Sequence, residues 1–174
     1  MSKSILIQTV TIKLFIIALL IQFSVSGFSQ ITENQKIYNP DADAKKELQD
    51  AIKKAKAENK HVFIQIGGNW CPWCIKFHNF VKENQDMDSL LNANYVVLKI
   101  NHSKENENQE ILTQFEFPQR FGFPVFVILD KSGKRIHTQN SGLLEKDKSY
   151  SKNDVMQFFN NWTPTAINPN SYKK

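Results

Sequence analysis

Two cysteines stand two residues apart in this chain, Cys71 and Cys74, and they are its whole cysteine complement. Such a pair can exist as two thiols or as one disulfide. Two intervening residues in the first turn of a helix bring the sulfurs close enough to bond, so the pair can change state without rebuilding the backbone. The flanking residues Gly67-Gly68-Asn69-Trp70-Cys71-Pro72-Trp73-Cys74 put it where that geometry arises. The apolar run from His61 to Ile66 reads as a strand, and Ile75 to Asn84 reads as a helix. A CxxC pair at a strand-to-helix junction is a redox motif.

The first cysteine then sits at a helix N-terminus, where unpaired N–H groups and the macrodipole favour a thiolate. A free cysteine titrates near ~8.5, and such positions lower that to about 3.5–7.5. Cys71 is therefore the expected nucleophile, exposed to solvent, and Cys74 the expected resolving thiol. Pro72 suits the first helical turn, where its missing N–H costs nothing. Trp73 adds area without charge, whereas a histidine there would place a positive charge beside the thiolate. This favours a reductase over a strong oxidase. Three plainer readings stand beside this one. The pair forms an inert structural disulfide, although so short a loop removes little chain entropy. It binds zinc, although zinc takes four ligands and His61, His78, His102 and His137 show no close pairing. Trp70 and Trp73 are ordinary core residues.

With these residues in view, Trp-Cys-Pro-Trp-Cys resembles the active-site segment of the thioredoxin superfamily. The preceding strand and the later Gly122-Phe123-Pro124 carry the same resemblance. It is strongest to secreted bacterial thioredoxin-like proteins and to the soluble thioredoxin-like domain of the periplasmic electron-transfer protein DsbD, and it covers roughly Lys45 to Phe159. It implies an α/β fold: a thioredoxin-like three-layer sandwich, with a central mixed β-sheet flanked by helices. It implies that Pro124 is cis and packs beside the cysteines, and that Phe123 presents backbone groups to a substrate peptide. Trp70, Pro72 and Trp73 would border the same groove, with Trp70 matching the family tryptophan. It also marks a departure. Six residues before the first cysteine, thioredoxins usually hold a buried aspartate that helps move the resolving thiol's proton. This chain has Gln65, which can hydrogen-bond but cannot ionise. Gln65 is thus either a residue of the proton path or a satisfied polar group of the interior. His78, two turns from Cys71, is either a general base or a surface residue.

The elements that must position these residues follow the pattern of apolar positions. Residues 1–29 read as a signal peptide. Lys3 and Lys13 supply its positive charge, and Leu14 to Val25 an apolar run broken only by Gln22 and Ser24. Ser24, Ser26, Gly27 and Ser29 supply small residues for cleavage. The expected cut follows Ser29, with a cut after Gly27 as the alternative site. An uncleaved anchor is the alternative, although the run is shorter than the ~20 residues that span a bilayer. An extended lead-in over 30–40 precedes the domain, 41–162. Asn39 and Pro40 are read as N-cap and first residue of a helix running from about Asp41 to Glu58. Its stripe is Ala42, Leu48, Ala51, Ile52 and Ala55. Asp86 to Leu91 is expected as a short helix, Tyr95 to Ile100 as a strand, and Glu110 to Phe115 as a helix end. The aromatic segment Glu116 to Phe121, longer than the usual family connection, is either a substrate-facing loop or a packed surface insert. Val125 to Leu129 is a strand, and Asp130 to Gly133 turns it into an antiparallel partner over Lys134 to Gln139. The last helix is expected over about Ser151 to Trp162, and the polar tail, 163–174, as disordered.

Charge excludes one class of function. The net charge of +5 loses two lysines with the leader, which is ordinary for a domain. No long basic block interleaved with aromatics occurs, so nucleic-acid binding is not expected. The reading is of an exported, periplasmic thiol–disulfide oxidoreductase acting as a monomer on protein disulfides. The Cys71–Cys74 disulfide is its redox centre, so no bound cofactor and no metal are expected. A membrane donor or another thioredoxin-type protein would reduce it. A disulfide oxidase or isomerase, or a non-catalytic binding module using the aromatic 115–123 segment, are the alternatives.

Overall fold

The computed structural model describes residues 35–173. The leader expected over 1–29, and the first part of the lead-in, lie outside them.

Alternation along the strands builds the layers. Strand β1 (His61–Gly67) is buried along its whole length. It pairs in parallel with β2 (Tyr95–Asn101) and antiparallel with β3 (Val125–Leu129), which pairs antiparallel with β4 (Arg135–Asn140). The sheet order is β2-β1-β3-β4. Side chains two apart share a face. Val62, Ile64 and Ile66 face one way, and pack with Leu98, Val127 and Leu129 against Leu48, Ala51 and Ala55 of α1 (Ala44–Glu58). Ile111 and Leu112 of α4 (Gln109–Gln114) join that layer. Phe63 faces the other way. It packs with Phe126, Phe77 of α2 (Pro72–Glu83), Met87 and Leu91 of α3 (Gln85–Asn94), and Phe159 of α5 (Lys152–Asn161). Phe63 stands 5.3 Å from Phe126 and edge-on to Phe159 at 5.5 Å. Full burial of each such ring contributes about 1.5–3 kcal/mol. The result is the three-layer α/β sandwich that the resemblance implies.

Three local features differ from the sequence reading. Helix α1 starts at Ala44, because Asp43 is the residue that caps it, accepting the Lys46 N–H at 3.0 Å. Asn39 instead closes a turn, its Oδ1 accepting the Asp41 N–H at 3.0 Å, and Ala42 lies before the helix. A small hairpin, β5 (Glu145–Lys146) with β6 (Ser149–Tyr150), intervenes before α5. Residues 163–173 form turns and a short 3-10 segment, Pro169–Tyr172, rather than a structureless tail. Thr163, Ser171 and Tyr172 tie that segment together through hydrogen bonds to backbone groups. The 115–121 segment holds two consecutive non-glycine residues at positive φ, Glu116 and Phe117. Arg135 of β4 pins it, donating to the Phe115 carbonyl at 2.8 Å and pairing with the Glu116 carboxylate.

Candidate redox site

β1 ends at Gly67 and α2 begins at Pro72, so the four residues between them turn the chain from sheet to helix. Cys71 is the N-cap of α2, in extended conformation, with Pro72 as the first helical residue. The Cys71 sulfur occupies the position of a capping oxygen: the backbone N–H of Cys74 points at it across 3.2 Å. A donor so placed stabilises negative charge on Cys71 Sγ, and the α2 dipole acts in the same direction. The two cysteines form a disulfide, with α-carbons 5.3 Å apart. Both residues are buried, Cys71 with 3% of its surface exposed and Cys74 with none. Cys71 is thus more enclosed than the sequence reading expects.

Aromatic side chains frame the pair. Trp70 is half exposed and donates its indole N–H to the His102 carbonyl at 2.7 Å. Its ring stands edge-on to Phe123 at 5.5 Å, and the His102 ring stacks on Phe123 at 5.0 Å. The Phe123–Pro124 peptide bond is cis, and Phe123 packs against the cluster of Tyr38, Cys71 and Cys74. Trp73 packs there as well, edge-on to Tyr150 at 5.4 Å, with the Lys76 ammonium 4.2 Å from its ring. Trp70, Trp73 and Phe123 therefore gather about the cysteines.

Gln65 is 2% exposed and lies between Lys99 and Phe126 in the sheet register. Its amide donates both hydrogens, to Tyr38 Oη at 2.8 Å and to the Cys74 carbonyl at 3.0 Å. It lines a cavity of about 190 Å³ together with His78, Lys99 and Asp88 among others. Burial, with the Lys99 and Lys82 charges, holds His78 below the usual histidine value. Burial, followed by Lys82, likewise holds Lys99 low.

Three residues at the site are given no role by the sequence reading. Tyr38 comes from the lead-in and is 3% exposed, and burial drives its phenol well above the ordinary tyrosine value. Asn69 holds it there. Its Oδ1 accepts the N–H groups of Ile37 and Tyr38 at 2.9 and 3.0 Å, and its Nδ2 donates to the Tyr38 carbonyl at 2.8 Å. His102 lies just past β2. A buried-type aromatic residue inside a polar lead-in is the one signal that points to Tyr38. Among the described residues no group of three or more His, Cys, Asp or Glu side chains could hold a metal ion.

Known proteins resemble this chain in fold and in sequence. A disulphide isomerase from Xylella fastidiosa Temecula1 matches with a TM-score of 0.65 and 26% identity, over 72% of this chain and 95% of that one. The mouse protein named Spermatogenesis-associated protein 20 is 30% identical over 81 residues. That match covers 47% of this chain, which spans about a tenth of that relative's length. The profile of the thioredoxin-like domain matches residues 48–152. It runs from within α1, through the cysteine pair and the cis proline, to the first residue of α5, and on that match the chain belongs to the thioredoxin-like domain family.

Proposed function

We propose that the protein is an exported thiol–disulfide oxidoreductase that reduces or exchanges disulfides in other proteins. The observation that carries this is the Cys74 N–H directed at Cys71 Sγ on the N-terminus of α2. In the reduced state Cys71 attacks one sulfur of a substrate disulfide. A mixed disulfide forms, and the other substrate sulfur leaves with the electron pair. Cys74 then attacks Cys71 Sγ, closing the Cys71–Cys74 disulfide and releasing the second substrate thiol. Two electrons have passed to the substrate, and a membrane donor or a thioredoxin-type protein restores the dithiol. Trp70 and Phe123 flank the point of attack. Export rests on the leader-like residues 1–29, and the protein acts as a monomer.

A second reading is disulfide isomerisation, favoured by the similarity to the Xylella fastidiosa isomerase. Isomerisation needs the mixed disulfide to persist long enough for a substrate thiol to attack it. The reduction potential separates the two readings, since ~30 mV corresponds to about 1.4 kcal/mol for this couple. Insulin reduction by dithiothreitol provides the first test. The wild-type protein accelerates it and Cys71→Ser does not; equal rates for both would remove the oxidoreductase reading.

A further inference from the structure

The resolving step needs a thiolate on Cys74, a residue with no exposed surface. Burial disfavours the charged form of a thiol unless a donor faces it. Gln65 cannot be that donor, because both of its amide hydrogens are committed, to Tyr38 Oη and to the Cys74 carbonyl. The Tyr38 phenol is different. Its oxygen accepts from Gln65, which leaves its own hydrogen to point elsewhere. What lies elsewhere is set by Gly67. A β-carbon on Gly67 would stand 2.4 Å from Cys74 Sγ and 2.9 Å from Tyr38 Oη. The two atoms are therefore no farther apart than the sum of those distances, and both border a space that only glycine leaves open. Tyr38, Cys71 and Cys74 form one buried cluster.

We propose that Tyr38 donates a hydrogen bond to the Cys74 sulfur as that sulfur becomes the attacking thiolate, so that a phenol from the lead-in serves the resolving step. The proposal rests on the dithiol reading above. In the step, the Cys74–Cys71 S–S bond forms and the bond from Cys71 to the substrate sulfur breaks. The substrate sulfur leaves with that electron pair and ends with the proton that Cys74 gave up. Tyr38 keeps its own proton throughout. Its burial, with the nearby Tyr150 phenol, holds it protonated, which suits a donor and excludes a base. Gln65 orients the phenol by occupying its acceptor side, and Asn69 fixes the backbone that carries it. Tyr38 is thus tied to the loop before Cys71 although it lies 31 residues from Asn69 in sequence.

The test separates attack from resolution. Reduced protein mixed with dithiobis(nitrobenzoate) releases one nitrothiophenolate as Cys71 attacks and a second as Cys74 displaces it. In Tyr38→Phe, which keeps the ring, the first phase stays within about twofold while the second slows by about tenfold. The pH midpoint of the second phase also moves upward. A folded Tyr38→Phe protein with an unchanged second phase and pH midpoint would overturn the proposal. Equal slowing of both phases would overturn it as well, since that marks a general loss of packing. Asn69→Ala, which keeps the phenol but releases its backbone, is expected to slow the second phase by a smaller factor; no slowing would count against the arrangement. A wild-type protein that releases only one equivalent would instead remove the dithiol reading itself.

Discussion

Cys74 has no exposed surface, and Cys71 keeps 3%. Reduced protein treated with limiting iodoacetamide near neutral pH is therefore expected to carry the label on Cys71. The Cys74 N–H that faces Cys71 Sγ acts in the same direction, because it favours the reactive thiolate there. Label found mainly on Cys74 would reverse the two roles. Gln65 offers a second test at this scale. Its amide donates to Tyr38 and to the Cys74 carbonyl, and an aspartate could donate to neither once ionised. Gln65→Asp is expected to destabilise the fold by about 1–3 kcal/mol for each buried group left without its partner. Burial would also push the new carboxyl above the usual carboxylate range. Urea denaturation reads the loss, and an unchanged midpoint would mean that the two hydrogen bonds contribute nothing net.

At the scale of elements, the junction from β1 to α2 is the part least able to tolerate added volume. Gly67→Ala puts a β-carbon 2.4 Å from Cys74 Sγ, so the sulfur or the strand must move. The expected cost is about 1–3 kcal/mol, with slower closure of the disulfide. Gly122→Ala gives a contrast. A β-carbon there meets nothing within 4 Å, and the strain comes only from its φ of +85°. It should cost stability while leaving the cysteines alone. Equal effects of both variants on disulfide closure would contradict the crowding argument. The strands were legible because β1 and β3 are buried on both faces, so β3 reads as an unbroken apolar run and β1 as one interrupted within it only by Gln65. The start of α1 was not, because Asn39 and Asp43 are both good caps, and the chain closes a turn at Asn39 before Asp43 caps the helix. The CxxC pair was legible from spacing alone. Tyr38 and Asn69 were not, because their contacts join the lead-in to the loop before Cys71 and no local pattern encodes that pairing. The 163–173 segment misled because its Ser, Thr and Asn residues look like those of a mobile tail, yet they close turns on their own backbone.

At the scale of the whole molecule, buried His61 links stability to pH. Its Nδ1 lies 2.8 Å from the Trp162 carbonyl, joining β1 to the end of α5. Burial outweighs that hydrogen bond and holds His61 below the usual histidine value. As pH falls, the unfolded chain therefore binds a proton at this residue before the folded one does. The stability contributed by neutral His61 is present above about pH 6.5 and is lost as pH falls through its lower folded value. Urea midpoints measured from about pH 7.5 to about pH 5 should fall more steeply for wild type than for His61→Gln. Parallel curves would assign the acid sensitivity to other groups. The same sheet and helices that bury His61 at one end hold the cysteine pair at the other, so loss of the fold removes the redox site with it.

The central claim is that Cys71 attacks protein disulfides and Cys74 releases the product. Cys74→Ser removes the release step and keeps the attack, so the covalent intermediate should persist. The direct measurement is a non-reducing gel of exported fractions from cells carrying Cys74→Ser, beside Cys71→Ser/Cys74→Ser. The account predicts adducts of this chain with other proteins in the first and none in the second, all dissolved by reductant. The same background in both lanes would contradict it.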